Sequence, residues 1–358
     1  MTIAIINNYQ PHIGIGKYCF NLFEKLRILK KDVDMIYLES KDNPYPESGG
    51  IVKVKQGFNL PALNKTFSWY YYFPPRLPRG YDLYHVSSQY LARIAKFRRP
   101  CIVTHMDTAP LLFKYPVHLR FFVKRVMKYY RQADRIIAIS EKSKAELAGL
   151  NIIPEEMITA INLGYDERVY KPASRERCRE RLGLPKDKKI ILYVGSEEER
   201  KNVPTLLKAL RLLKKQSIDF MFIRIGGTDP ANGPLKAGLD VRHYHGIPES
   251  DMPLFYNSAD VFVFPATYEG GIAYPPLEAM ACGTPTVVTD ELDVFKDGTV
   301  TMKPHDSAAL AKIILSILTE PDVHNKLSKA ALETAARFTL TKEVTETYRV
   351  YEDVLETS

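Results

Sequence analysis

The sequence predicts an α/β protein built from two doubly wound parallel sheets that face each other across a cleft. Three observations carry that expectation. Short apolar runs alternate with amphipathic helical stretches over most of the chain, which is the pattern of βαβ units. The runs 190–194, 220–225, 261–264 and 286–289 are read as fully apolar strands, as a sheet covered on both faces requires. The length, 358 residues, suits two domains of ~100–200 residues, each with its own core.

Residues 3–6 form the expected first strand, followed by a helix near 15–30. Further short strands are expected at 35–38, 82–86, 101–104 and 135–139. The junction is expected near 165–175, after Asn162-Leu163-Gly164-Tyr165-Asp166, because a new series of strands opens at Lys189. The expected domains are therefore 1–168 and 169–340, with a last helix, 341–358, packing back onto the first. No solenoid repeat or low-complexity tract interrupts this order.

Composition narrows the function classes. Hydrophobic residues make up 45% and charged residues 26%, which is globular rather than disordered or fibrous. No apolar run approaches the ~18–20 residues of a spanning helix, and the polar break at Asn7-Asn8 comes too soon for a signal peptide. Cys19, Cys101, Cys178 and Cys282 are too scattered for a metal pair or a secreted disulfide framework. The expected compartment is the cytosol. Residues 1–165 hold 24 Lys and Arg against 13 Asp and Glu, whereas the remainder holds 26 against 29. A basic N-terminal half suggests an anionic partner there; a solvated basic face is the alternative.

Three segments are candidate phosphate cradles. The first strand runs into Gln10-Pro11-His12-Ile13-Gly14-Ile15-Gly16-Lys17, where glycines permit close backbone approach and the following helix offers free N–H groups. A dinucleotide fingerprint needs a third glycine where Cys19 stands, so a dehydrogenase is disfavoured; a plain tight turn remains open. Second, the strand 261–264 stops at Pro265, and the loop Ala266-Thr267-Tyr268-Glu269-Gly270-Gly271-Ile272-Ala273-Tyr274 leads into Pro275-Pro276-Leu277-Glu278. Proline suits a helix opening, and Gly283 suits its end. Glu269 then lies at a strand's carboxyl end and Glu278 in the first helical turn. Carboxylates there can accept hydrogen bonds from sugar hydroxyls. Alternatively, Glu278 complements the helix dipole and Glu269 is solvated. Third, Tyr193-Val194-Gly195-Ser196 is followed by Glu197-Glu198-Glu199-Arg200-Lys201-Asn202. Adjacent Arg and Lys between a strand and a helix suit a diphosphate, or they answer the three glutamates.

Together these segments resemble the retaining GT-B glycosyltransferases of family 4 over almost the whole chain. The resemblance also rests on Thr104-His105-Met106-Asp107, on Ala133-Asp134-Arg135-Ile136-Ile137-Ala138-Ile139-Ser140-Glu141, and on the stretch from Tyr268 to Pro285. It implies two Rossmann-like domains, an N-terminal one for the acceptor and a C-terminal one for a nucleotide sugar. It further implies that His105 sits beside the transferred sugar, that Arg200 and Lys201 hold the donor diphosphate, and that Glu269 binds sugar hydroxyls and Glu278 the ribose. Gly14 and Gly16 would line the acceptor and phosphate side. Gly195, Ser196, Gly246, Ile247, Gly270, Gly271, Ile272 and Ala273 complete the implied donor set. No metal or other cofactor is implied. Two departures stand out: eight residues separate Glu269 from Glu278 where the family has seven, and Ser196 stands where the family often has arginine.

The implied activity is hexosyl transfer, of mannosyl or glucosyl type, from a nucleotide-diphosphate sugar to a glycan or lipid-linked hydroxyl. Asp32-Val33-Asp34 is read as a solvent-facing turn rather than a metal site. His85 faces the cleft or is packed at a strand end. The aromatic run Trp69-Tyr70-Tyr71-Tyr72-Phe73 and the basic, aromatic stretch 115–131 suit either an anionic membrane surface or an ordinary helix with a solvated basic side. The expected location is thus the cytoplasm, peripheral on the inner membrane face. Rival classes are a nucleic-acid-binding protein, which the aromatic and basic residues would suit, and a catalytically silent scaffold; no nucleic-acid motif accompanies the former.

Overall fold

The computed structural model describes residues 1–10, 14–39, 49–55, 73–113, 117–227 and 238–357. The aromatic run 69–72 lies outside them, as does Tyr115. The chain divides into two units, Met1–Leu163 with Leu340–Ser358, and Gly164–Thr339. The division falls slightly before the expected 168/169 boundary.

The first unit holds a seven-stranded sheet in the order β3-β2-β1-β4-β5-β6-β7. Its strands are β1 Thr2–Asn7, β2 Asp32–Glu39, β3 Ile51–Lys55, β4 Leu83–Val86, β5 Cys101–His105, β6 Arg135–Ala138 and β7 Ile158–Ala160. Every neighbouring pair is parallel. The interior strands are apolar on both faces: Ile3, Ala4, Ile5 and Ile6 are all fully buried, because helices cover both sides of such a sheet. Strand order reverses between β1 and β4, and ligands of doubly wound sheets sit beyond the carboxyl ends at that switch. Asp32 opens β2 rather than a turn but is exposed, as expected, whereas Asp34 is half-buried and accepts a hydrogen bond from Tyr81 Oη at 2.6 Å.

The last helix, Leu340–Glu356, belongs to the first unit. Leu340, Val344, Thr347, Tyr351 and Val354 recur at helical spacing and are buried. Tyr351 Oη lies 2.6 Å from His85 Nδ1. His85 Nε2 lies 2.7 Å from Thr104 Oγ1, which is 3.1 Å from Tyr18 Oη. This buried chain links the last helix to β4, β5 and the helix Gly14–Ile28. Burial pushes His85 down to about 3. The neutral ring offers one donor and one acceptor, and each hydroxyl beside it can play either part. His85 is therefore the packed strand-end histidine.

The second unit holds a six-stranded parallel sheet in the order β10-β9-β8-β11-β12-β13. Its strands are β8 Lys189–Val194, β9 Phe220–Ile225, β10 Val241–Tyr244, β11 Val261–Phe264, β12 Thr286–Thr289 and β13 Val300–Met302. The switch point lies between β8 and β11, so the loops after these two strands meet there. One carboxylate closes the opposite end: Asp260 accepts from Arg179 Nη2 at 2.7 Å, Arg175 Nη1 at 2.9 Å and the Ile190 amide at 2.7 Å. β9 is not wholly apolar, since Arg224 stands within it fully buried.

His85 carries the first prediction. Its folded pKa lies below the ordinary 6.5, so the unfolded chain takes up the proton first as pH falls. The stability this group contributes is complete above about pH 6.5 and declines toward pH 3, at about 1.4 kcal/mol per pH unit. Urea unfolding at a series of pH values should show that slope reduced by one proton in His85→Gln. Tyr351→Phe, which leaves a buried imidazole nitrogen unpaired, should cost about 1–3 kcal/mol near neutrality.

Candidate functional site

The site of the second unit is built by the loops that follow β8 and β11. After β8 the backbone passes Gly195, where an added Cβ would lie 2.6 Å from Tyr193 Oη; only glycine fits this close approach. A short 3-10 turn, Glu199–Lys201, ends at Asn202, whose φ is 52°. Asparagine tolerates this left-handed conformation better than most residues. Asn202 Nδ2 donates to Pro265 O at 3.1 Å, and the Thr267 amide donates to Arg200 O at 2.7 Å. The two loops are thereby stitched together, and the helix Val203–Lys215 starts at once.

This stitching brings Arg200, Lys201 and Glu269 together. Arg200 Nη1 donates to Glu269 Oε1 at 3.0 Å, and Lys201 Nζ bonds the same oxygen. Arg200 Nε also donates to Glu198 Oε2 at 2.8 Å. Lys201 Nζ stands 4.9 Å from the Phe264 ring centroid. Both cations and Glu269 are largely buried, Glu269 only 8% exposed, so Glu269 is not a solvated loop residue. Two of the glutamates beside the basic pair have separate tasks. Glu198 holds Arg200, and that cation draws its carboxyl below the usual range against the opposing effect of burial. Glu197 pairs with Arg224, Nη1 to Oε1 at 2.5 Å.

The loop from Tyr268 to Ala273 is buried throughout, and Gly271 takes φ of 85°. The following helix is Tyr274–Ala281, with proline at its opening. It starts earlier than expected, so Glu278 lies beyond the first turn, and its placement there as a dipole-complementing residue is corrected. Glu278 is instead buried and accepts from Tyr256 Oη at 2.7 Å. Burial, with the Glu278 charge next in weight, raises the Tyr256 phenol well above its usual value, so it stays a donor. Ser196 and the loop residues Gly270, Gly271, Ile272 and Ala273 all belong to these two segments. Gly246, exposed with φ of 61°, and half-buried Ile247 follow β10, on the far side of β9 from β8.

Sequence reasoning missed Arg224 and Tyr256. A lone arginine in a central apolar run was a readable signal for the first. An added Cβ on Gly227 would lie 2.4 Å from Arg224 Nη2, so the glycine is there to admit the guanidinium. Nothing in the sequence links Tyr256 to Glu278.

In the first unit, His105 ends β5 fully buried. Its Nδ1 lies 2.9 Å from Tyr130 Oη, while Nε2 has no hydrogen-bond partner among the described residues. Burial pushes this imidazole down to about 3, so it is neutral near pH 7. Asn8, just past β1, is likewise buried, and among the described residues neither amide atom has a partner. Asn8 was not singled out in the sequence; buried amides without partners are rare. Gly16 lies inside the helix Gly14–Ile28, and an added Cβ would sit 1.9 Å from Gln10 O. Gly14, by contrast, has open space around it among the described residues. Among the described residues no cluster of three or more His, Cys, Asp or Glu could hold a metal ion.

Residues 13–169 match the model of Glycosyltransferase Family 4, and residues 174–334 match that of Glycosyl transferases group 1. The chain belongs to the group 1 glycosyltransferases. O-antigen chain mannosyltransferase B of Escherichia coli is 28% identical, over 95% of this chain and 96% of that protein. D-inositol 3-phosphate glycosyltransferase of Thermobispora bispora is 28% identical over 63% of this chain, and the match spans only 57% of that relative. Among solved structures, sucrose-phosphate synthase from Thermosynechococcus elongatus matches with a TM-score of 0.84 at 21% identity, covering all of both chains. Anabaena HepE, solved in complex with UDP and glucose, matches with a TM-score of 0.78 at 16% identity over 98% of this chain and 99% of that one. These structures share the GT-B fold with this glycosyltransferase.

The two glycines in the first turn of the helix Gly14–Ile28 should behave differently. Gly16→Ala forces a methyl group against the Gln10 carbonyl and should cost about 1–3 kcal/mol, as overpacking does. Gly14→Ala should be tolerated within about 0.5 kcal/mol, as for a surface change away from special features. Parallel thermal melts check the contrast.

Proposed function

We infer that this glycosyltransferase moves a hexosyl group from a nucleoside-diphosphate sugar to an acceptor hydroxyl, with retention of anomeric configuration. The acceptor is a glycan or a lipid-linked glycan. The observation that supports this most is the meeting of Arg200, Lys201 and Glu269 at the switch point of the second sheet. Mannosyl transfer is the activity named for the Escherichia coli relative that matches nearly end to end. UDP and glucose are the ligands named for the HepE structure.

In this reading the bond between the anomeric carbon and the diphosphate oxygen breaks while the acceptor oxygen bonds to the same face of that carbon. The acceptor proton passes to the departing diphosphate oxygen. Negative charge grows on the diphosphate, and Arg200, Lys201 and the N-terminus of the helix Tyr274–Ala281 stabilise it. No divalent metal takes part, because the fixed cations do that work. An ammonium has three donors, so Lys201 can keep its bond to Glu269 while it meets a phosphate oxygen. Glu269 also accepts from hydroxyls of the donor sugar, and Glu278, oriented by Tyr256, accepts from the ribose. Neutral His105 offers Nε2 as a hydrogen-bonding atom to substrate bound by the first unit, not as an acid.

A thermal-shift screen with nucleotide sugars names the donor, because a ligand of the native state raises the melting temperature. With that donor, Lys201→Ala should lower turnover by on the order of 10²-fold or more, and Glu278→Ala should chiefly weaken donor affinity. Normal turnover in Lys201→Ala removes this residue from the mechanism, and a product of inverted configuration by NMR overturns retention. Salt-sensitive RNA binding without nucleotide-sugar binding would favour the nucleic-acid reading.

A further inference from the structure

The proposed transfer chemistry leaves one surface of the first unit unexplained. The helix Val117–Met127 and the 3-10 turn Lys128–Gln132 follow the short helix Ala109–Leu112. Val123, Val126, Met127 and Tyr130 face inward and are buried in the unit's core. Val117, Phe121, Lys124 and Lys128, spaced four, three and four residues apart, form the opposite, exposed face. Exposed Arg120 and Arg125 flank it, and Arg131 extends it.

This face departs from an ordinary solvated one in two respects. Its apolar members stand almost bare: Phe121 is 70% exposed, Val117 67% and Leu112 60%. Arg120 Nη2 donates to Leu111 O at 3.4 Å, which ties the helix bearing Val117 and Phe121 to the end of the one bearing Leu112. Its charge is also of one sign. Residues 112–132 contain no Asp or Glu, against Lys114, Arg120, Lys124, Arg125, Lys128 and Arg131.

We propose that this face docks the first unit onto an anionic phospholipid surface, with Leu112, Val117 and Phe121 entering the headgroup boundary and Lys124, Lys128 and Arg131 meeting lipid phosphates. An amphipathic helix with cations beside bare apolar side chains binds such an interface through both effects. A nucleic acid would meet the cations, but it has no apolar phase for Leu112 and Val117. A second copy of the chain would set this positive face against itself. Docking here is independent of the transferase reading and holds whatever the donor proves to be.

Vesicle co-sedimentation of the full chain tests this, using phosphatidylcholine alone and phosphatidylcholine with phosphatidylglycerol. Binding is expected only with the anionic lipid and should weaken as salt is added. Phe121→Ser should lower partitioning about tenfold. Lys124→Gln with Lys128→Gln should lower it roughly 25-fold, since each cation near such a surface is worth a factor of about five. Both variants change exposed side chains, so their melting temperatures and nucleotide-sugar thermal shifts should match the parent's. Three results overturn the proposal: no binding to anionic vesicles, binding that neither variant weakens, or salt-sensitive RNA binding or self-association through these residues without vesicle binding.

Discussion

A single carboxylate oxygen, Glu269 Oε1, engages two cations that the chain places sixty-eight and sixty-nine residues earlier. Three nearby charges at low exposure are tolerable only because they are paired. The loops that hold them must then keep their geometry, and each local device serves that end. Gly195 permits the strand to end against Tyr193, Asn202 turns the chain through a left-handed conformation, and Thr267 and Asn202 sew the two loops together. If Glu269 were lost, Arg200 would still have Glu198, whereas Lys201 would lose the carboxylate it pairs with. The pair therefore depends on Glu269 unequally.

The first unit follows a different rule. Its candidate residues, Asn8 and His105, are neutral and buried with unused hydrogen-bonding capacity, whereas the second unit's are charged and internally satisfied. Neutral orphans suit the recognition of hydroxyls, which both donate and accept. Paired charges suit a ligand that brings its own charge and exchanges one ionic partner for another. The chain through Tyr351, His85, Thr104 and Tyr18 ends one residue from His105 and two from Gly16. The last helix is thus tied through hydrogen bonds to residues beside this neutral pair.

The fold was legible because each sheet-forming run is short, apolar and punctuated, and strands buried on both faces belong to parallel sheets covered by helices. The charged loops were legible because glycine, proline and adjacent cations mark strand ends. Partnerships that depend on register and packing left no local trace. Tyr256 meets Glu278 only once the helix Tyr274–Ala281 is set in place, and His85 meets Tyr351 across 266 residues. The extra residue between the two glutamates is accommodated in a loop where Gly271 adopts positive φ, while both carboxylates remain buried. Glu278 was misplaced within its helix because proline at successive positions made the start look later than it is. Arg224 was overlooked because one charged residue did not disturb an otherwise apolar run.

Charge balance also misleads when it is read at the scale of a domain. The first unit holds 26 Lys and Arg against 18 Asp and Glu, and the second holds 24 against 24. The whole surplus lies in the unit that does not contain the Arg200–Lys201 pair. Screening explains why this is no paradox: beyond about 8–10 Å in physiological salt, exposed charges scarcely act on one another. A diphosphate is recognised by the few cations within hydrogen-bonding reach, and an electroneutral unit supplies them readily when it concentrates two at a strand end. A broad surplus acts instead on broad anionic surfaces, where many weak contacts add. Net charge and local charge thus report on different partners, and in this chain they point to opposite units.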